Sequence, residues 1–196
     1  NLNQDLYSDR LPNNIRVNFL STGKFKTVSL GLFVHQELKE DLVSNHALLP
    51  AVMKRGSRRF PDNIAIRREL ERLYGAELAT DVLKKGERHL ISFSLSLAHD
   101  KYAPEIPDLF RQGMALLGDL ISEPLQEGEG FRQDYLDQEK EHLEREIRGL
   151  INDKSLYAMH RCLSIMCAGE RFGIYKLGDL QGLSPITAAS LWRYYE

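Results

Sequence analysis

Six histidines, two cysteines and many carboxylates are the groups in this 196-residue chain whose chemistry is worth testing first. A helical zinc pair needs two histidines four residues apart, so that both imidazoles reach one ion from the same face. His35, His46, His89, His99, His142 and His160 contain no such pair. His142 and Glu146 have the spacing, but they are only two ligands, and their Glu, Lys and Arg neighbours read as a solvated helix face. His89, at the start of an apolar run, reads as structural or solvent-facing. Cys162 and Cys167 fall about 140° apart on a helix, which fits buried inert thiols better than a shared metal. The chain has no Gly-x-Gly-x-x-Gly or Walker loop to cradle phosphates and no Gly-x-Ser-x-Gly elbow to present a nucleophile. Lys54, Arg55, Arg58, Arg59, Arg67, Arg68 and Arg72 form a basic stretch with only Phe60 as an interleaved aromatic. Bases need more stacking surface than that, so a wet helix face or a subunit contact explains these charges better.

The elements that must position these residues alternate between two periods. Ile15, Val17 and Phe19, then Val28, Leu30, Leu32 and Val34, repeat every second residue on either side of a turn at residues 21–24. That pattern predicts an antiparallel hairpin. A second hairpin is predicted from Leu78, Thr80 and Val82, a turn at 84–86, and Ile91, Phe93, Leu95 and Leu97 alternating with serines. Helices are expected from Pro61-Asp62-Asn63 to Gly75, from Pro104 to Ser122, from Phe131 through Ile151, around Met159–Cys167 and over Ile186–Tyr195. Hairpin, helices, hairpin and a run of helices imply an α+β fold, an antiparallel sheet covered on one face by helices.

Composition bounds the rest. A hydrophobic fraction of 42% and a net charge of −2 fit one globular domain and argue against a dedicated nucleic-acid binder. No apolar run approaches the roughly 20 residues that span a bilayer, and Asn1 to Pro12 is too polar for a signal peptide. A cytoplasmic protein with no membrane partner is the expectation.

One segment carries more information. Asn45-His46-Ala47-Leu48-Leu49-Pro50-Ala51-Val52-Met53-Lys54-Arg55-Gly56-Ser57-Arg58-Arg59-Phe60-Pro61 resembles the metal-binding helix and following loop of M16 peptidases, the pitrilysin, insulinase and mitochondrial-processing-peptidase type. Val28 to Val34 resembles that family's opening strands, and Leu73-Tyr74-Gly75-Ala76-Glu77-Leu78-Ala79-Thr80 its helix-end glycine and next strand. Glu139-Lys140, Leu143 and Glu146-Ile147 resemble the later helix that supplies a third zinc ligand. Gly178, Leu180, Leu183, Ile186-Thr187, Leu191-Trp192 and Tyr194-Tyr195 resemble the closing segment. The likeness covers nearly the whole chain, with a longer middle. It implies a LuxS/MPP-like metallohydrolase module, here a single N-terminal module over 1–196 from a two-module subunit.

The resemblance also shows what has been lost. Counting back from Gly56 puts the zinc histidines at Ala47 and Ala51 and the catalytic glutamate at Pro50. Alanine has no lone pair for zinc, and proline cannot take a proton from a metal-bound water. Glu146 retains the third-ligand position, and His46, offset by one residue, is read as a helix-start or surface histidine. Pro50 predicts a kinked helix or one that begins later. The zinc expected in the family therefore has no ligand set here, so no metal or other cofactor is expected and the chain should be inactive alone. Its lost motif and Lys84-Lys85-Gly86-Glu87 resemble the inactive partner type found in bacteria. This implies pairing with an active M16-type subunit or a homo-oligomer, with a contribution to the chamber wall. Substrate peptide would add to an edge strand at Leu78, Ala79 and Thr80, which serve equally well as an ordinary core strand. Two other readings remain: a zinc-dependent metalloendopeptidase with a non-standard ligand set, and a stand-alone protein-interaction module.

Overall fold

The serine-alternating run becomes the middle strand of the sheet. In the computed structural model, which describes residues 6–196, β3 (Thr27–Glu37), β4 (Glu77–Lys85) and β5 (Arg88–Ala98) form an antiparallel sheet in the order β3-β5-β4. The β4–β5 hairpin turns at Gly86, whose left-handed φ of 59° is most easily adopted by glycine. Register sets the faces. Val82, Thr80 and Leu78 of β4 stand opposite Ile91, Phe93 and Leu95 of β5, and Leu32 and Leu30 of β3 flank Phe93 and Leu95 on the other side. This face meets the helices, whereas Ser94 and Ala79 on the opposite face are exposed.

The first hairpin differs from the expected one. β2 (Arg16–Leu20) pairs with an earlier strand, β1 (Leu6–Arg10), around a turn in which Asn14 takes a φ of 68°. β3 pairs instead with β5 along its whole length. Alternation identified these strands correctly but carries no information about which neighbour each one pairs with.

α1 (Val43–Met53) lies across the sheet and is buried on nearly every side, against β4, β5 and the later helices. It begins at Val43 and runs through Pro50 without interruption, so the late start does not occur. Pro50 supplies no N–H to the carbonyl one turn back. The surrounding burial of Leu48, Leu49, Val52 and Met53 offsets that loss. α2 (Asn63–Arg72) starts at Asp62, whose carboxylate accepts a 2.7 Å hydrogen bond from the Ala65 N–H, and closes before Gly75 at φ 72°. α3 (Leu109–Ser122) starts later than Pro104, because Pro107 pushes Ile106 out of helical geometry and Asp108 is left-handed at φ 54°.

A two-residue ladder of β6 (Gln126–Glu127) and β7 (Gly130–Phe131) leads into α4 (Gln133–Gly149), which packs along α1. α5 (Lys154–Met166) is largely exposed, and Cys162 on it is exposed while Cys167 just after it is half-buried, so the thiols are not the buried pair expected. α6 (Leu180–Leu183) and α7 (Ala188–Tyr195) close the helical layer, α7 behind a reciprocal Thr187–Ser190 capping box. The core has two adjoining parts. Val52, Phe93, Leu136 and Leu191 centre one, and Leu95, Leu97, Leu109 and Leu116 the other. The α+β architecture with one helix-covered sheet face is as the sequence implies.

Candidate functional site

The resemblance gathers its site on α1, α4 and β4, and the fold brings these three elements together. Ala47, Leu48, Pro50 and Ala51 of α1, Thr80, Asp81 and Val82 of β4, and Glu139, His142, Leu143 and Glu146 of α4 line one cleft of about 150 Å³, with Leu177 closing it. Residues 139, 142, 143 and 146 face it together because spacings of three and four place them on one side of a helix. Ala47 and Pro50 are buried and Ala51 is half-buried, so the α1 wall of the cleft is apolar. The α4 wall is polar, with His142 and Glu146 exposed.

Ion pairing already occupies part of this carboxylate set. Glu139 accepts from the Arg55 Nε, and both side chains are largely buried. Lys176 lies 3.5 Å from the Asp81 carboxylate and donates to the Val82 carbonyl at 3.2 Å. Burial pushes the Tyr175 phenol up, and the nearby Glu146 carboxylate adds to the shift. Glu146 is thus the carboxylate at the polar wall with no cation beside it in the ion pairs of the described residues.

These residues do not fit a zinc ion. The α1 side offers methyl groups and a pyrrolidine ring where a tetrahedral site needs nitrogen or oxygen donors. Among the described residues no group of three or more His, Cys, Asp or Glu is placed to hold a metal. A broader hollow of about 380 Å³ on α2, lined by Asn63, Ile64, Arg67, Arg68 and Glu71, is a solvated helix face that shares no residue with this cleft.

β4 forms one wall of the cleft and is also an edge of the sheet, since beyond β5 it pairs with no other strand among the described residues. Leu78 and Thr80 are half-buried on the helix-facing side, and Ala79 is exposed on the other. An edge next to a cleft can accept an extended peptide through main-chain hydrogen bonds alone.

Comparison with known proteins identifies the architecture. No protein-family model matches the chain. A curated Bacillus subtilis (strain 168) protein, described as "Probable inactive metalloprotease YmfF", is 35% identical over 182 residues, 93% of this chain and 43% of that protein. The chain is a homologue of the inactive M16-type proteins. It spans less than half the length of that relative. A conserved protein from Enterococcus faecalis V583 superposes with a TM-score of 0.82 at 26% identity, covering 91% of this chain and 42% of that one. The peptidase M16 inactive domain of Pseudomonas fluorescens shares the fold with a TM-score of 0.72 at 16% identity, covering 97% and 43%.

The M16-type motif positions Ala47, Pro50, Ala51 and Glu146 therefore come together in space, as their order along the chain implies. His142, read from sequence as part of a solvated face, lines the same cleft and is exposed. His46 and His89 do not. His46 is fully buried rather than at the surface, and so is His89. Their Nδ1 atoms are 2.9 Å apart. No spacing rule could have linked residues 46 and 89, which meet only because α1 crosses β5.

Proposed function

We propose that this M16-type homologue is a non-catalytic partner of an active, zinc-bearing subunit, contributing chamber wall and holding extended peptide along β4. The observation that carries the reading is the cleft itself. It keeps the α1, α4 and β4 walls and an adjacent sheet edge, while Ala47, Pro50 and Ala51 have no donor for a metal. A peptide-holding surface needs main-chain groups and shape, both of which remain.

The chain is read as one module of a longer two-module subunit, which its 43% coverage of the YmfF relative supports. A cytoplasmic setting is part of the proposal and suits the two free cysteines. No helix is long and apolar enough to cross a membrane among the described residues.

Co-expression with an M16-type subunit carrying His-x-x-Glu-His, followed by size-exclusion chromatography with light scattering, tests the pairing. A stable hetero-complex supports it. Separate elution of both proteins at micromolar concentration favours the stand-alone interaction module. A zinc endopeptidase with unusual ligands would require about one tightly held metal per chain.

A further inference from the structure

Beneath the cleft, α1 touches the sheet through an unusual pair. His46 and His89 are both fully buried, and their rings lie 5.0 Å apart at 51°. Their Nδ1 atoms face each other at 2.9 Å, and neither Nε2 makes a well-aligned hydrogen bond among the described residues. The Tyr194 ring of α7 packs on His46 at 5.6 Å, so the pair joins α1, β5 and α7 at one point. A contact of that length between two ring nitrogens requires one to donate and the other to accept. Two neutral imidazoles satisfy this, with one protonated at Nδ1 and its partner at Nε2.

We propose that the His46–His89 pair is an acid-sensitive latch that fastens α1 and α7 to the sheet under the M16-type cleft. The proton balance has two steps. The first added proton goes to the bare Nε2 of the donor ring. It creates a buried cation but leaves the Nδ1–H···Nδ1 bond in place. The second must go to the accepting Nδ1, which removes the bond and sets two cations against each other.

The surroundings oppose both steps more than they help. Lys84 stands directly across from His89 in the β4–β5 register, and Lys176 also bears on it. The Lys176 backbone carbonyl favours the charged form of His89, and Asp41, just before α1, favours that of His46. Tyr194 from α7 adds no charge, because burial pushes its phenol up. Desolvation dominates at both imidazoles and brings each down to about 4 from an ordinary 6.5.

The sign follows from those directions. The unfolded chain binds protons at these histidines below about pH 6.5, and the folded chain resists until about pH 4. The pair's contribution to stability is therefore full above about pH 6.5 and declines as pH falls from there toward 4, where the folded rings themselves take up protons.

The test combines two measurements on the 196-residue chain. Long-range nitrogen–proton NMR of the imidazoles gives the tautomers and titration of His46 and His89 directly in the unsubstituted protein. Urea midpoints across pH 7.5 to 4.5 are compared with those of a His46→Asn/His89→Asn variant. The expected result is one Nδ1–H and one Nε2–H tautomer at pH 7, with both rings still neutral at pH 5.5. The folding equilibrium constant of the unsubstituted chain should then fall about 10- to 100-fold more per pH unit between 6 and 5 than that of the variant. Amides of α1 and α7 should also lose protection before those of β3. Ordinary titration of both rings near 6.5, or the same acid slope in chain and variant, overturns the latch. If the variant does not fold, the NMR titration alone decides.

Discussion

Arg55, just past the end of α1, donates through Nε to the Glu139 carboxylate on α4, with only 18% and 15% of the two side chains exposed. This pair ties together the two helices that form opposite walls of the cleft. Removing one partner leaves the other charge largely buried and unpaired. Arg55→Met or Glu139→Gln should each cost about 1–3 kcal/mol in urea unfolding, and the double variant should cost less than the sum. Additive losses would show that the pair is not coupled.

Gly130 presses against the backbone of α7. A Cβ built there would lie 2.5 Å from the Ala188 carbonyl carbon, and backbone cannot yield as a flexible side chain does. Gly130→Ala should cost about 1–3 kcal/mol and shift the fluorescence of Trp192, which packs on Phe131 at 5.0 Å. Gly118, in α3 with nothing within 4 Å of its Cβ position, is the control. Gly118→Ala should be neutral or stabilise the fold by about 0.5–1 kcal/mol.

The cleft allows a direct test of the lost ligand set. Ala47→His, Pro50→Glu and Ala51→His together supply donors on the wall facing Glu146, and Pro50→Glu also returns a helix N–H. Equilibrium dialysis with zinc should show about one tightly held ion per chain in this triple variant and none in the parent. Equal zinc in both would mean that the ion binds elsewhere.

Peptide binding to β4 would depend on main-chain groups. Calorimetry with an extended peptide should lose the binding signal when alternate amides are N-methylated, because each methyl removes a donor to the edge. Binding unchanged by N-methylation would place the peptide away from β4.

The sequence made the strands, the α+β order and the M16-type likeness legible, because alternation and motif residues are local signals. β3 was visible as Val28, Leu30, Leu32 and Val34, but its partner β5 lies some sixty residues away, and periodicity says nothing about such distances. α1 shows no apolar face in sequence because it is buried all round, which also hid its unbroken course through Pro50. The lack of metal donors at Ala47, Pro50 and Ala51 is readable once Gly56 sets the register. The His46–His89 pair is not, since its chemistry arises from a tertiary crossing of α1 over β5. The thiols differ from expectation for a related reason, since the spacing of Cys162 and Cys167 does not reveal that α5 sits at the surface.

Peptidase activity of the purified chain, alone and mixed with an M16-type subunit bearing His-x-x-Glu-His, tests the lost metal site and the partnership together. Zinc added to the chain alone should give no cleavage of an unstructured peptide. The mixture should cleave faster than the active subunit does by itself. Chelator-sensitive cleavage by the chain alone would contradict the reading of an erased metal site. A mixture no faster than the active subunit would contradict the partnership.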